Sequence, residues 1–279
     1  MPEKPGRRAG TPRRRNASSG AALLARLYDL DLAGDEGSDP GDLDLYLALA
    51  AQLEGPILEL AAGSGRIVVP LAAAGHAVVG VDRDAAMLAR ARAAWAGADK
   101  GRARGSLELV EADLRSVELG ARFDLVILAL NGLLLMGNAN DQQAALSAMA
   151  RHLRPGHGRA VVDVWLPGPD DLAAYDGRLV DEWQRPDPES GDVVAKLSSA
   201  RFEPATAEVE LVTLFDSWPA GGGPLTRVAR TDRMRLLGPA ELAGMAAAAG
   251  LRTEQLAGDY GLSPFGPGAE RVVLVAGLV

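Results

Sequence analysis

Apolar positions along the chain change their period in a regular way. Ile57, Leu58 and Leu60 form a short apolar run after Pro56, the mark of a buried strand. The run ends at Ala61-Ala62-Gly63-Ser64-Gly65, where closely spaced glycines signal a tight turn. Residues 66–74 carry apolar side chains at helical spacing and stop at Gly75. Residues 77–81 are a second β-branched run, closed by Asp82. Strand, turn, helix and strand of these lengths predict a right-handed βαβ unit and a parallel sheet. The alternation continues with a helix over 84–96 capped by Asp84, strands over 107–110 and 123–128, a helix over 141–153 and a strand over 159–166. Helices over 21–32 and 42–53, joined by a loop, precede it. Between residues 181 and 237 the pattern changes: 193–197, 207–215 and 226–230 read as antiparallel strands with turns between them, several alternating polar with apolar. A helix over 239–250 and strands over 251–257 and 272–278 end the chain.

The first turn is where chemistry is expected. Gly63 and Gly65 lack Cβ atoms, so a ligand has close access to the backbone there. The turn lies at the carboxyl end of a strand, where open α/β sheets bind ligands. Asp82 ends the neighbouring strand, placed to accept both hydroxyl protons of a ribose. A dinucleotide and S-adenosyl-L-methionine (S-adenosylmethionine below) both satisfy this much. Two features favour the second. The third glycine of a nicotinamide fingerprint is replaced by Val68, too large for close helix–strand approach. Glu59, an acid in the first strand, faces a pyrophosphate badly but suits a ligand carrying an ammonium and a sulfonium.

Composition narrows the classes further. The 279 residues are 48% hydrophobic and support a full core. There is no cysteine, which excludes disulfides, thiolate metal sites and a cysteine nucleophile, and is compatible with a cytoplasmic protein. The net charge is −8, yet Lys4, Arg7, Arg8, Arg13, Arg14 and Arg15 face Glu3 alone in residues 1–20. The rest is therefore still more acidic, a poor platform for nucleic acid. Residues 1–20 read as a disordered basic tail without the apolar core of a secretory signal. No run is long enough to span a membrane. No His/Asp/Glu grouping has metal-ligand spacing, so no metal is expected.

The segment Glu59-Leu60-Ala61-Ala62-Gly63-Ser64-Gly65 resembles the glycine motif of the class I S-adenosylmethionine-dependent methyltransferases, with alanine at the first glycine. Phe123-Asp124-Leu125-Val126 and Leu153-Arg154-Pro155-Gly156 resemble further strings of that family. The resemblance implies an α/β fold: a Rossmann-like, seven-stranded, mostly parallel sheet with a C-terminal antiparallel hairpin. To this the chain adds an antiparallel β insertion at about 178–237. A helical cap over 21–54 would close on the domain of residues 55–279. The resemblance implies cofactor contacts from Glu59, Ala61, Gly63, Gly65, Arg66, Asp82, Arg83, Asp113, Leu114 and Leu130. Asp113 would accept from the adenine amine, or else cap a turn. Arg83 would lie along the adenine, or else be solvated. Tyr28, Asn131 and Asp163 are the catalytic candidates. Tyr28 resembles a tyrosine of small-molecule methyltransferases but also reads as a packing aromatic. Asp163 and Trp165 resemble the acid-x-Trp of sugar amine methyltransferases, or else a buried strand acid and a core aromatic. Phe265 either touches the substrate or belongs to a turn. Leu135 stands where many relatives have histidine, which removes the usual general base. The expected function is methyl transfer to a small acceptor, an amine or an acidic hydroxyl, by a possible homodimer. A non-catalytic cofactor-binding protein and a nicotinamide-dependent oxidoreductase are the competing readings.

Overall fold

The computed structural model describes residues 14–33, 41–98 and 105–279. Two helices come first, α1 (Arg14–Leu32) and α2 (Asp42–Ala50). The repeating unit follows: β1 (Ile57–Leu60), α3 (Val68–Ala73), β2 (Ala77–Asp82), α4 (Ala85–Gly97), β3 (Ser106–Glu111), β4 (Leu125–Leu128), α5 (Ala139–His152) and β5 (Arg159–Trp165). After the short helix α6 (Pro169–Ala174) come the insertion strands β6 (Val180–Pro186), β7 (Asp192–Glu203), β8 (Glu208–Pro219) and β9 (Thr226–Arg235). Helix α7 (Pro239–Ala248) and strands β10 (Leu251–Ala257) and β11 (Arg271–Leu278) complete the chain.

The seven-stranded sheet has the order β10-β11-β5-β4-β1-β2-β3. Strands β1 to β5 are parallel, and β11 runs antiparallel between β5 and β10. The fold is therefore the expected α/β one. β1 and β4 are buried along their whole length, as parallel strands covered on both faces must be. One apolar layer packs Leu58, Val126 and Val162 against Leu146 and Met149 of α5 and Leu242 of α7. The opposite layer packs Ile57, Leu125 and Val161 against Leu45 of α2 and Leu71 of α3. The chain crosses between β1 and β4, so the switch point that binds ligands in such sheets lies at their carboxyl ends.

The insertion forms its own antiparallel sheet, β6-β7-β8-β9. Val194 and Phe215 on it pack with Leu27 and Leu30 of α1, and Lys196 of β7 pairs with Asp31 at 2.8 Å. Two local expectations need correction. Strand β6 and helix α6 were not foreseen, because β6 is mostly exposed and shows no apolar alternation. The disordered tail expected over 1–20 overlaps α1 from Arg14 onward, and its residues 1–13 lie outside the described residues. No helix among the described residues is long and apolar enough to cross a membrane.

Candidate functional site

The turn after β1 bends through three left-handed residues, Ala61 (φ 60°), Gly63 (φ 54°) and Gly65 (φ 92°). The two glycines have different reasons. A Cβ on Gly63 would meet nothing within 4 Å, because that side of the turn is open. A Cβ on Gly65 would stand 3.0 Å from the Ala91 Cβ of α4 and 3.0 Å from Val69. Gly65 is therefore buried against a helix and does not line the open side. The sequence placed it in the cofactor site; its role is close packing of α4 beneath the turn. Asp82, at the end of β2, accepts the Gly63 N–H at 2.8 Å on Oδ2 and the Asp84 N–H at 2.8 Å on Oδ1. Each oxygen keeps a further lone pair.

Glu59 is 4% exposed, and its Oε2 has no hydrogen-bond partner among the described residues. Burial pushes its carboxyl well above the usual range, while nearby Arg66 pulls the other way. That arginine is already engaged: Nη1 and Nη2 donate to the two oxygens of Asp42 at 2.7 and 2.6 Å. Asp42 is fully buried at the start of α2. Tyr28 of α1 stands nearby, its ring 5.9 Å from the Arg230 guanidinium. Burial raises the Tyr28 phenol, so it stays protonated at neutral pH.

At the end of β3, Arg115 donates to both oxygens of Asp113 and reaches Asp141 at 2.6 Å. The hydrogen bonds from Arg115 hold the Asp113 carboxyl at about 2. At the end of β4 the chain passes through Leu130 (φ 48°) and Asn131 (φ 63°). Asn131 spends its side-chain oxygen on the Trp165 N–H at 2.6 Å, pinning that bend to β5. The Leu130 N–H donates to Asp163 at 2.9 Å.

These ends surround one cavity of about 510 Å³, within the range of small-ligand sites. Its floor includes Glu59, Ala61, Gly63, Arg66, Asp82, Arg83, Asp113, Leu114 and Leu130, and its roof includes Tyr28. Ten of the residues singled out in the sequence thus converge there. The structure separates the others from it. Asp163 is fully buried and saturated: it accepts from Tyr46 at 2.7 Å, Tyr260 at 3.0 Å, Leu130 N–H and Arg271 at 3.4 Å. Such an acid ties α2, β4 and the terminal hairpin together and has no path to a substrate. Asn131 and Trp165 bond each other, and the Trp165 ring lies against Tyr175. Phe265 sits in the β10–β11 connection with its N–H on Leu256. None of these four lines the cavity.

Sequence reasoning missed the roof from β9, Arg230, Thr231 and Asp232, where Arg230 pairs with Asp232 at 2.7 Å. It also missed Asp42, Tyr46 and Tyr260. The alternation of β9 gave notice of a half-exposed strand, and the family resemblance implies an insertion that covers the site or mediates pairing, but neither singled out these three residues. Asp42 reads in sequence only as an acid in a helix first turn.

Known proteins similar to this chain are methyltransferases. Residues 57–156 match the profile of a methyltransferase domain. Over 151 residues the chain is 31% identical to the cypemycin N-terminal methyltransferase of a Streptomyces species; the match covers 54% of this chain and spans 58% of that protein. The structure resembles the CcbJ methyltransferase of Streptomyces caelestis, with 25% identity, a TM-score of 0.71, and coverage of 88% of this chain and 98% of that one. It also resembles the sugar N-methyltransferase KedS8 of Streptoalloteichus, with 20% identity, a TM-score of 0.68, and coverage of 99% and 97%.

Proposed function

We propose that this chain, which carries a methyltransferase domain of the class I S-adenosylmethionine-dependent fold, methylates a small acceptor, an amine in preference to a hydroxyl. The observation that carries the reading is Glu59: a buried acid with an orphaned oxygen, lining the cavity beside the open face of Gly63. It fits the ammonium of the cofactor's methionine end and has nothing to offer a pyrophosphate. Arg66, held in place by Asp42, borders the cofactor's carboxylate next to it. Asp82 takes the ribose hydroxyls on its spare lone pairs, and Asp113 with the Leu114 N–H borders the adenine. S-adenosylmethionine supplies a methyl group already activated by its sulfonium.

The protein's share is alignment and exclusion of water. Leu135 and Met136 give the cavity apolar walls, while α1 and β9 cover it. Among its titratable groups, Tyr28 is held protonated, Asp141 is paired with Arg115 and Asp232 with Arg230. None of these is free to take a proton from a hydroxyl, so an amine that arrives unprotonated is the better nucleophile. The cypemycin relative is named for methylating an N-terminus, which supports the same choice.

The test is calorimetric titration with S-adenosylmethionine, S-adenosylhomocysteine and NAD in parallel. Binding of the first two alone is expected, followed by methyl transfer to members of an amine panel. Binding of NAD alone would return the glycine turn to a dehydrogenase.

A further inference from the structure

Glu59 poses a question of charge that cofactor contact alone leaves open. An isolated carboxylate is costly to bury, and such a group takes up a proton instead. The groups facing Glu59 come from every side of the site. Tyr28 comes from α1, Asp42 from α2, Arg66 and the Val68 N–H from the turn into α3, and Asp82 from β2. Only one of them is a cation. Both terminal nitrogens of that arginine are on Asp42, at 2.7 and 2.6 Å, and Asp42 is itself wholly buried. Glu59 therefore faces one guanidinium already bonded to Asp42 and two carboxylates, with no partner for Oε2 among the described residues.

We infer that Asp42, by occupying Arg66, holds Glu59 as the neutral acid in the empty site, so that a ligand ammonium docking there drives the Glu59 proton into solvent. The inference rests on the cofactor reading above. In the step, the Glu59 O–H bond breaks, its electron pair stays on the carboxylate, and the proton passes to a buffer base. The new carboxylate pairs with the ammonium. Asp42 is then a positioning residue, acting on the ligand only through Arg66 and Glu59. Cofactor capture becomes linked to pH, and affinity strengthens as pH rises toward the value at which the free carboxyl ionises.

The experiment is calorimetric titration of the full chain with S-adenosylhomocysteine and S-adenosylmethionine in buffers of different ionisation enthalpy. A pH of ~6.5 lies below the about 7.7–8.0 of an α-amine, so the ligand already carries its proton. The slope of heat against buffer enthalpy counts protons. The wild type is expected to release about one per ligand, and its affinity to rise up to about tenfold per pH unit between pH ~5.5 and ~6.5. Glu59→Gln should release almost none. Asp42→Asn, which leaves Arg66 free to hold Glu59 as a carboxylate, should bind with little release; melting curves check that both variants fold. Binding by the wild type without proton release and with a flat pH profile overturns the inference. Glu59→Gln releasing as many protons as the wild type does so too. A full proton released by Asp42→Asn removes Asp42 from it. Failure of the folded wild type to bind either ligand sinks the cofactor reading itself, and the linkage falls with it.

Discussion

The two halves of the sheet's carboxyl edge use acids in opposite ways. At the ends of β1, β2 and β3, Glu59 has an orphaned oxygen, Asp82 keeps spare lone pairs beside its two backbone bonds, and Gly63 faces open space. At the ends of β4, β5 and β11, Asp163 is saturated by Tyr46, Tyr260, Arg271 and the Leu130 N–H, while Asn131 is spent on Trp165. The first half keeps unused hydrogen-bonding capacity, which a ligand can take up. The second half uses its capacity internally, which makes it a rigid wall. Strand acids at neighbouring positions thus divide into binder and scaffold by how many partners the fold supplies, not by residue type.

The largest expected effect attacks the scaffold side. Asp163→Ala should cost about 3–5 kcal/mol of stability, because it strands buried donors and the Arg271 charge at once. Denaturant unfolding measures this, and a loss near zero would mean that the network holds nothing. Gly65→Ala should cost about 2 kcal/mol, from its left-handed φ and the 3.0 Å approach to Ala91. The contrast sharpens with Gly63→Ala, which meets open space and should cost stability less while weakening S-adenosylhomocysteine more. Equal stability losses at the two glycines would erase the distinction drawn between them. Asp82→Ala should weaken cofactor binding by about 1–2 kcal/mol, and an unchanged dissociation constant would remove it from the site.

The smallest effect concerns pH. Burial raises the Glu59 carboxyl above its unfolded value, so folding takes up a proton in the window between the two. This contribution to stability is most favourable below the unfolded value of about 4.3 and declines as pH rises toward the folded one. Glu59→Gln should remove that decline and stabilise the ligand-free protein by on the order of 1 kcal/mol near pH ~7. Melting temperatures at acidic and neutral pH provide the check, and a variant less stable than the wild type at neutral pH would show Glu59 ionised.

Much of this was present in the sequence because it is local. The run from Ile57 to Asp82 carries its own periodicity and turn chemistry, and a βαβ unit delivers a strand-end acid to the neighbouring strand's turn by geometry alone. Hence Glu59, Gly63 and Asp82 were placed together from that run before any coordinates, and the family resemblance added Arg66, Asp113 and Leu114. The sequence could not say whether an acid was spoken for. Asp163 finds its partners 117 residues away at Tyr46 and 97 away at Tyr260, and Arg66 finds Asp42 across 24 residues. Gly65 looked like a ligand glycine because the helix that crowds it, α4, is a separate element. The cavity roof joins α1 to β9, which meet only when the insertion sheet buries Leu27 and Leu30. Short-range periodicity comes from backbone geometry, so it is written in the sequence. Whether a polar group has spare capacity depends on which distant segments pack against it, and that is settled only when the chain closes.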